Sequence, residues 1–190
     1  MSTLETIAQA LRHAADRYDG LSCEEQILFL FDEVDKHKAL TVVLELLKQY
    51  QPVFAHFHDD IIWIPEVLNL LQAKASPERI KPLMRWEEFE KWDQNAYFSS
   101  VESLCWAYFR LQDEDYYKAR ENLLSSLQAI MNAHRYNFWS SRYPHLELFW
   151  GAGDDLDSTL ARLSCARDPI VQLFMKDKWY AIAAQIEAWD

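Results

Sequence analysis

A chain of 190 residues with 30 acidic and 19 basic side chains carries a formal charge of −11. That balance argues against direct binding to nucleic-acid phosphates and favours a basic partner or plain solubility. Half the residues are hydrophobic, enough for a full core, yet there are only three glycines, Gly20, Gly151 and Gly153. Glycine supplies the positive φ angles of hairpin turns and the close approach of phosphate loops, so many-stranded sheets and nucleotide cradles are excluded.

Residues 3–18 place Leu4, Ile7, Ala8, Leu11, Ala14, Ala15 and Tyr18 on one stripe, which predicts a helix. Gly20 is expected as its left-handed C-cap, and Ser22 with Glu25 as the capping box of a second helix through Ile27, Leu28, Leu30, Phe31 and Val34. A third helix is expected over 37–50, closed by Pro52, and a fourth from about Ile64, with Pro65 in its first turn. Ser76-Pro77-Glu78-Arg79 reads as a helix start that Pro82 keeps short or bent. The pattern from Trp86 to Leu111 is helical, with a possible break at Ser99-Ser100. Asp113-Glu114-Asp115 puts acids at the positive end of a long helix to about His134. Residues 136–153 read as an ordered loop or short helix, and 154–167 and 169–189 as the last two helices.

Lys38-Ala39, Val43 and Leu46 share their spacing with Lys118-Ala119, Leu123 and Ser126. This resembles the second helix of a tetratricopeptide unit. The Leu-Gly pair of the first helix is Gln26-Ile27 in one case and Trp106-Ala107 in the other, so the resemblance implies antiparallel helical hairpins and no more. The fold expected is all-α: a single domain over residues 1–190 of about seven to nine helices packed as irregular antiparallel hairpins.

No apolar run approaches the ~18 residues of a membrane span, and Met1 to Glu5 lacks the basic start and apolar stretch of a signal peptide. Cys23, Cys105 and Cys165 are odd in number, widely spaced and set among apolar neighbours, as buried thiols in a reducing compartment would be. The expected location is the cytoplasm.

His56-Phe57-His58-Asp59-Asp60 is the candidate metal site, with His56, His58 and Asp59 as ligands. His58-Asp59 is the dipeptide of the HD phosphohydrolases, helical enzymes that also need an upstream His and a downstream Asp. His37 lies upstream, but no downstream Asp stands out, so a polar loop before the Ile61 helix, with Asp59 or Asp60 as its cap, is the reading preferred for the same residues. No His has Glu three residues before it, and His-Glu-x-x-His and Cys-x-x-Cys are absent, so di-iron, zincin and zinc-ribbon sites drop out. Asp154-Asp155-x-Asp157 lacks the alternating ligands and terminal Glu of a calcium loop and reads as a helix cap. No metal or cofactor is expected, and nothing marks a catalytic nucleophile.

Eight Trp, nine Tyr and ten Phe beside so much acid match a binding face of aromatic anchors with a charged rim. Two segments concentrate the mixture. Trp86, Glu87, Glu88, Phe89, Glu90, Trp92 and Asp93 form the first. Its aromatics recur every three residues and drift by about 60° per step on a helix, so they cannot all be buried. Trp139, Tyr143 and Trp150, followed by Asp154 and Asp155, form the second.

The function expected is therefore an acidic protein-binding module that engages a basic protein. Small, acidic, helix-rich immunity proteins that cover a toxin nuclease have this physical profile. A helical metal-dependent hydrolase built on His56, His58 and Asp59, and a non-inhibitory adaptor subunit, are the rival readings. Neither nucleic acid nor membrane is an expected partner.

Overall fold

The computed structural model describes residues 2–85, 91–143 and 164–189. Every regular element among them is a helix, and the fold is all-α. The helices are α1 (Thr3–Asp16), α2 (Gly20–Phe29) running into a π-turn (Leu30–Val34), α3 (Lys36–Phe57) and α4 (Trp63–Gln72). A short α5 (Pro77–Ile80) with a 3-10 turn, α6 (Trp92–Gln112), α7 (Tyr116–Arg142) and α8 (Pro169–Glu187) follow, and residues 164–167 are helical as well. No helix among the described residues is long and apolar enough to cross a membrane.

The chain divides into two compact units. The described part of the first is 2–42, 135–143 and 164–189, and that of the second is 43–85 and 91–134.

In the first unit, α1 packs against α8 and α2. Leu4, Ile7, Ala8, Leu11, Ala14 and Ala15 of the expected stripe are buried, as are Val171, Met175, Trp179 and Ile182 of α8, whereas Tyr18 lies past the end of α1 and is exposed. Each fully buried Leu, Ile or Met side chain contributes about 1.5–3 kcal/mol. Polar clamps flank the seam. Arg12 grips both carboxylate oxygens of Glu187, and Asp16 accepts from Lys176 at 2.7 Å and from the Tyr180 hydroxyl at 2.9 Å. Phe138 stacks flat on Phe174 with centroids 4.1 Å apart.

In the second unit, Ser100 and Ser126 let α6 and α7 approach closely, each hydroxyl donating to the other's carbonyl at 2.7 Å. Trp63 meets Phe98 edge to face, and the Tyr108 hydroxyl donates to the Ala75 carbonyl at 3.0 Å. Cys23, Cys105 and Cys165 are all free and fully buried. Burial pushes the Cys23 and Cys165 thiols up to about 12.

The helix ends explain how so little glycine suffices. Tyr18, Lys74 and Glu114 take positive φ angles of 56°, 52° and 58°. Each closes a helix in the same way. Tyr18 and Asp19 donate to the carbonyls of Ala15 and Ala14, Lys74 and Ala75 to Leu71 and Leu70, and Glu114 and Asp115 to Leu111 and Arg110. This is the paired 6→1 and 5→2 pattern of a Schellman cap, with a side-chain-bearing residue in the left-handed position that glycine usually holds.

Several local expectations change accordingly. Gly20 is the first residue of α2 and not the C-cap of α1, because Tyr18 has already turned the chain. Asp19 caps α2 by accepting from the Ser22 amide at 3.1 Å, so Ser22 with Glu25 forms no capping box; Ser2 with Glu5 does. Pro52 lies inside α3, which continues to Phe57. Burial of Tyr50 and Phe54 on either side of the proline outweighs the one lost hydrogen bond. The helix expected to stop near His134 runs on to Arg142, and α6 passes through Ser99-Ser100 without a break.

Candidate protein-binding face

Of the first acid–aromatic segment, Trp86, Glu87, Glu88, Phe89 and Glu90 lie outside the described residues, as does the side chain of Trp92. Asp93 is buried, its carboxylate accepting from the Tyr50 hydroxyl at 2.6 Å, so it belongs to the interior and not to a charged rim. Of the second segment, Trp139 is buried and cannot serve as an exposed anchor. Tyr143 is half-buried and donates to Asp168 at 2.7 Å; that hydrogen bond is the main reason the Asp168 carboxyl sits below its ordinary range. Trp150, Asp154 and Asp155 lie outside the described residues.

The His-rich segment sits at the end of α3. His56 and Asp59 are exposed, and His58 packs against Phe54 with ring centroids 4.8 Å apart. Among the described residues no three His, Cys, Asp or Glu side chains converge to hold a metal ion.

Exposed acid and apolar bulk do meet elsewhere, on α2 and the π-turn. Cys23, Ile27, Leu28, Leu30 and Phe31 turn inward. Leu21, Phe29 and Val34 remain 71 %, 44 % and 37 % exposed, and Glu25, Asp32 and Glu33 between them are exposed as well.

The spacing explains the shared face. Leu21, Glu25 and Phe29 are four residues apart, which stacks them along an α-helix. From Phe29 to Val34 the step is five, which an α-helix would carry round to another side. The turn Leu30–Val34 is π-helical, closed by the Asp35 amide donating to the Leu30 carbonyl at 3.0 Å, and residues five apart stack in such a turn. The π-turn thus extends one mixed stripe of large apolar and carboxylate side chains. Asp35 is not part of it, since its carboxylate caps α3 through the His37 and Lys38 amides.

Sequence periodicity missed this face for a definable reason. The spacing puts Val34 in one helical run with Ile27, Leu28, Leu30 and Phe31, and the π-turn leaves it exposed while those four are buried. The readable signal was the run of Asp32, Glu33 and Asp35 around Val34, too acidic for a buried turn. Against protein-family models, curated proteins and solved structures alike, the chain shows no match.

Proposed function

We propose that this chain is an acidic protein-binding module that captures a basic protein through the α2 face. The observation that carries the reading is the exposure of Leu21, Phe29 and Val34 in one stripe with Glu25, Asp32 and Glu33. Exposed apolar side chains scattered singly are ordinary, but a stripe rimmed by like charges has the make-up of an interface. The carboxylates raise the encounter rate with a cationic surface, and Leu21 and Phe29 supply the contacts that slow release. An inhibitor of the immunity class fits this division of labour. A nuclease must present cations to nucleic-acid phosphates, and an acidic face that covers them blocks substrate as it binds.

The test is photo-crosslinking in the native host, with a photoreactive phenylalanine analogue at position 29 and, as control, at exposed Gln9. The expected result is a discrete adduct with a basic protein from position 29 alone. An acidic adduct, or the same products from both positions, contradicts the reading.

A further inference from the structure

The second unit contains a groove of about 330 Å³. Its walls are two edge-to-face aromatic pairs, Trp63 with Phe98 at 5.9 Å and Trp106 with Phe109 at 5.6 Å. Trp63, Phe98 and Phe109 are buried, whereas Trp106 is 40 % exposed and open to an incoming ligand. The volume lies at the small end of the range of about 300–1,000 Å³ typical of ligand pockets.

The charge of this groove runs against that of the whole chain. Among the described residues, Lys81 and Arg85 line it together with one acid, Glu102. The Lys81 ammonium stands 5.1 Å from the Phe109 ring centre, and the Arg110 guanidinium lies 5.9 Å over Trp106. In a protein with an excess of eleven acids, two cations to one carboxylate among the described lining residues is a local inversion of sign.

We infer that this groove binds a small amphipathic monocarboxylic acid, with its apolar body in the groove against the exposed Trp106 ring and its carboxylate at Lys81 and Arg85. Aromatic walls take an acyl chain or an aryl ring. The positive surplus on the described lining, to which Arg110 over Trp106 adds, favours an anionic head group. The site is independent of the α2 face, whose residues all belong to the other unit.

The experiment uses the full chain labelled with fluorotryptophan, the Trp106 fluorine resonance being identified by its loss in Trp106→Phe. Octanoate, octanol, octylamine and octyl phosphate are titrated as a matched series. Octanoate is expected to shift the Trp106 resonance saturably, with octanol about tenfold weaker for want of the charged hydrogen bonds. Octylamine should not bind. Lys81→Glu with Arg85→Glu, both at exposed positions, should weaken octanoate about tenfold and leave octanol unchanged. Equal binding of octanol and octanoate would reduce the groove to an apolar cleft and overturn the inference. So would tighter binding of octyl phosphate, indifference to the double substitution, or no saturable shift. Unchanged circular dichroism of the double variant keeps misfolding from imitating the expected result.

Discussion

The Tyr50 hydroxyl donates to the Asp93 carboxylate at 2.6 Å in the interior of the second unit, where the Tyr50 ring also meets His134 edge to face at 5.2 Å. A carboxylate that the sequence places on a charged rim is thus a core acceptor. Tyr50→Phe removes the donor and leaves a buried acceptor with one partner fewer, at an expected cost of about 1–3 kcal/mol in urea unfolding. Asp93→Ala should cost at least as much. Were Asp93 a surface residue, the change would stay within about 0.5 kcal/mol of zero.

The helix ends give a pair of opposite expectations. A Cβ added at Gly20 meets nothing within 4 Å and the residue opens a helix, so Gly20→Ala should stabilise the protein by about 0.4–1 kcal/mol. Glu114 holds a left-handed turn with φ 58°, so Glu114→Gly should relieve strain and be neutral or stabilising. If Gly20 were the left-handed cap that the sequence suggests, Gly20→Ala would destabilise instead. Thermal melts of the two variants decide between the arrangements.

How much was legible follows from which signals are local. The all-α class, the α1 stripe, the Pro65 and Pro77 starts and the Pro169 start of α8 were readable from 3.6-residue periodicity and first-turn proline. The ends were not, because Tyr18, Lys74 and Glu114 carry no compositional mark of a positive φ. The continuation of α3 past Pro52 depends on burial of Phe54 against Tyr97, 4.8 Å between rings, which no local rule contains. Asp93 and Trp139 went to the wrong side for the same reason, since their burial depends on partners distant in sequence. The α2 face was hidden by a single π-turn.

Acid should unfold the first unit through a few carboxylates. Hydrogen bonds from Lys176 to Asp16, from Tyr143 to Asp168 and from Arg12 to Glu187 hold all three below their ordinary range. A depressed folded-state pKa means that the unfolded chain binds more protons. The stabilisation is therefore complete above the unfolded values of about 3.9–4.3 and is lost as pH falls through the lower folded values. Melting temperature should be flat from neutral to about pH 5 and drop below about pH 4. Asp16→Asn with Glu187→Gln should start lower at neutral pH and lose less on acidification. Parallel curves for variant and wild type would assign acid unfolding to other groups.

The most direct test of the α2 face is the kinetics of association with the partner crosslinked at position 29, followed from low to physiological salt. Steering by Glu25, Asp32 and Glu33 requires an association rate that falls steeply with salt while dissociation changes little. Glu25→Lys with Glu33→Lys should lower the association rate and flatten its salt dependence. Leu21→Ala with Phe29→Ala should speed dissociation by an amount worth about 2 kcal/mol or more if these are anchors. Stability of the charge-reversal variant should stay within about 0.5 kcal/mol of wild type, since Glu25 and Glu33 are exposed. The Leu21→Ala, Phe29→Ala pair should lose about 1–2 kcal/mol, because Phe29 is more than half covered. Association that ignores both salt and charge reversal, with dissociation unmoved by loss of Leu21 and Phe29, would contradict the assignment of this face.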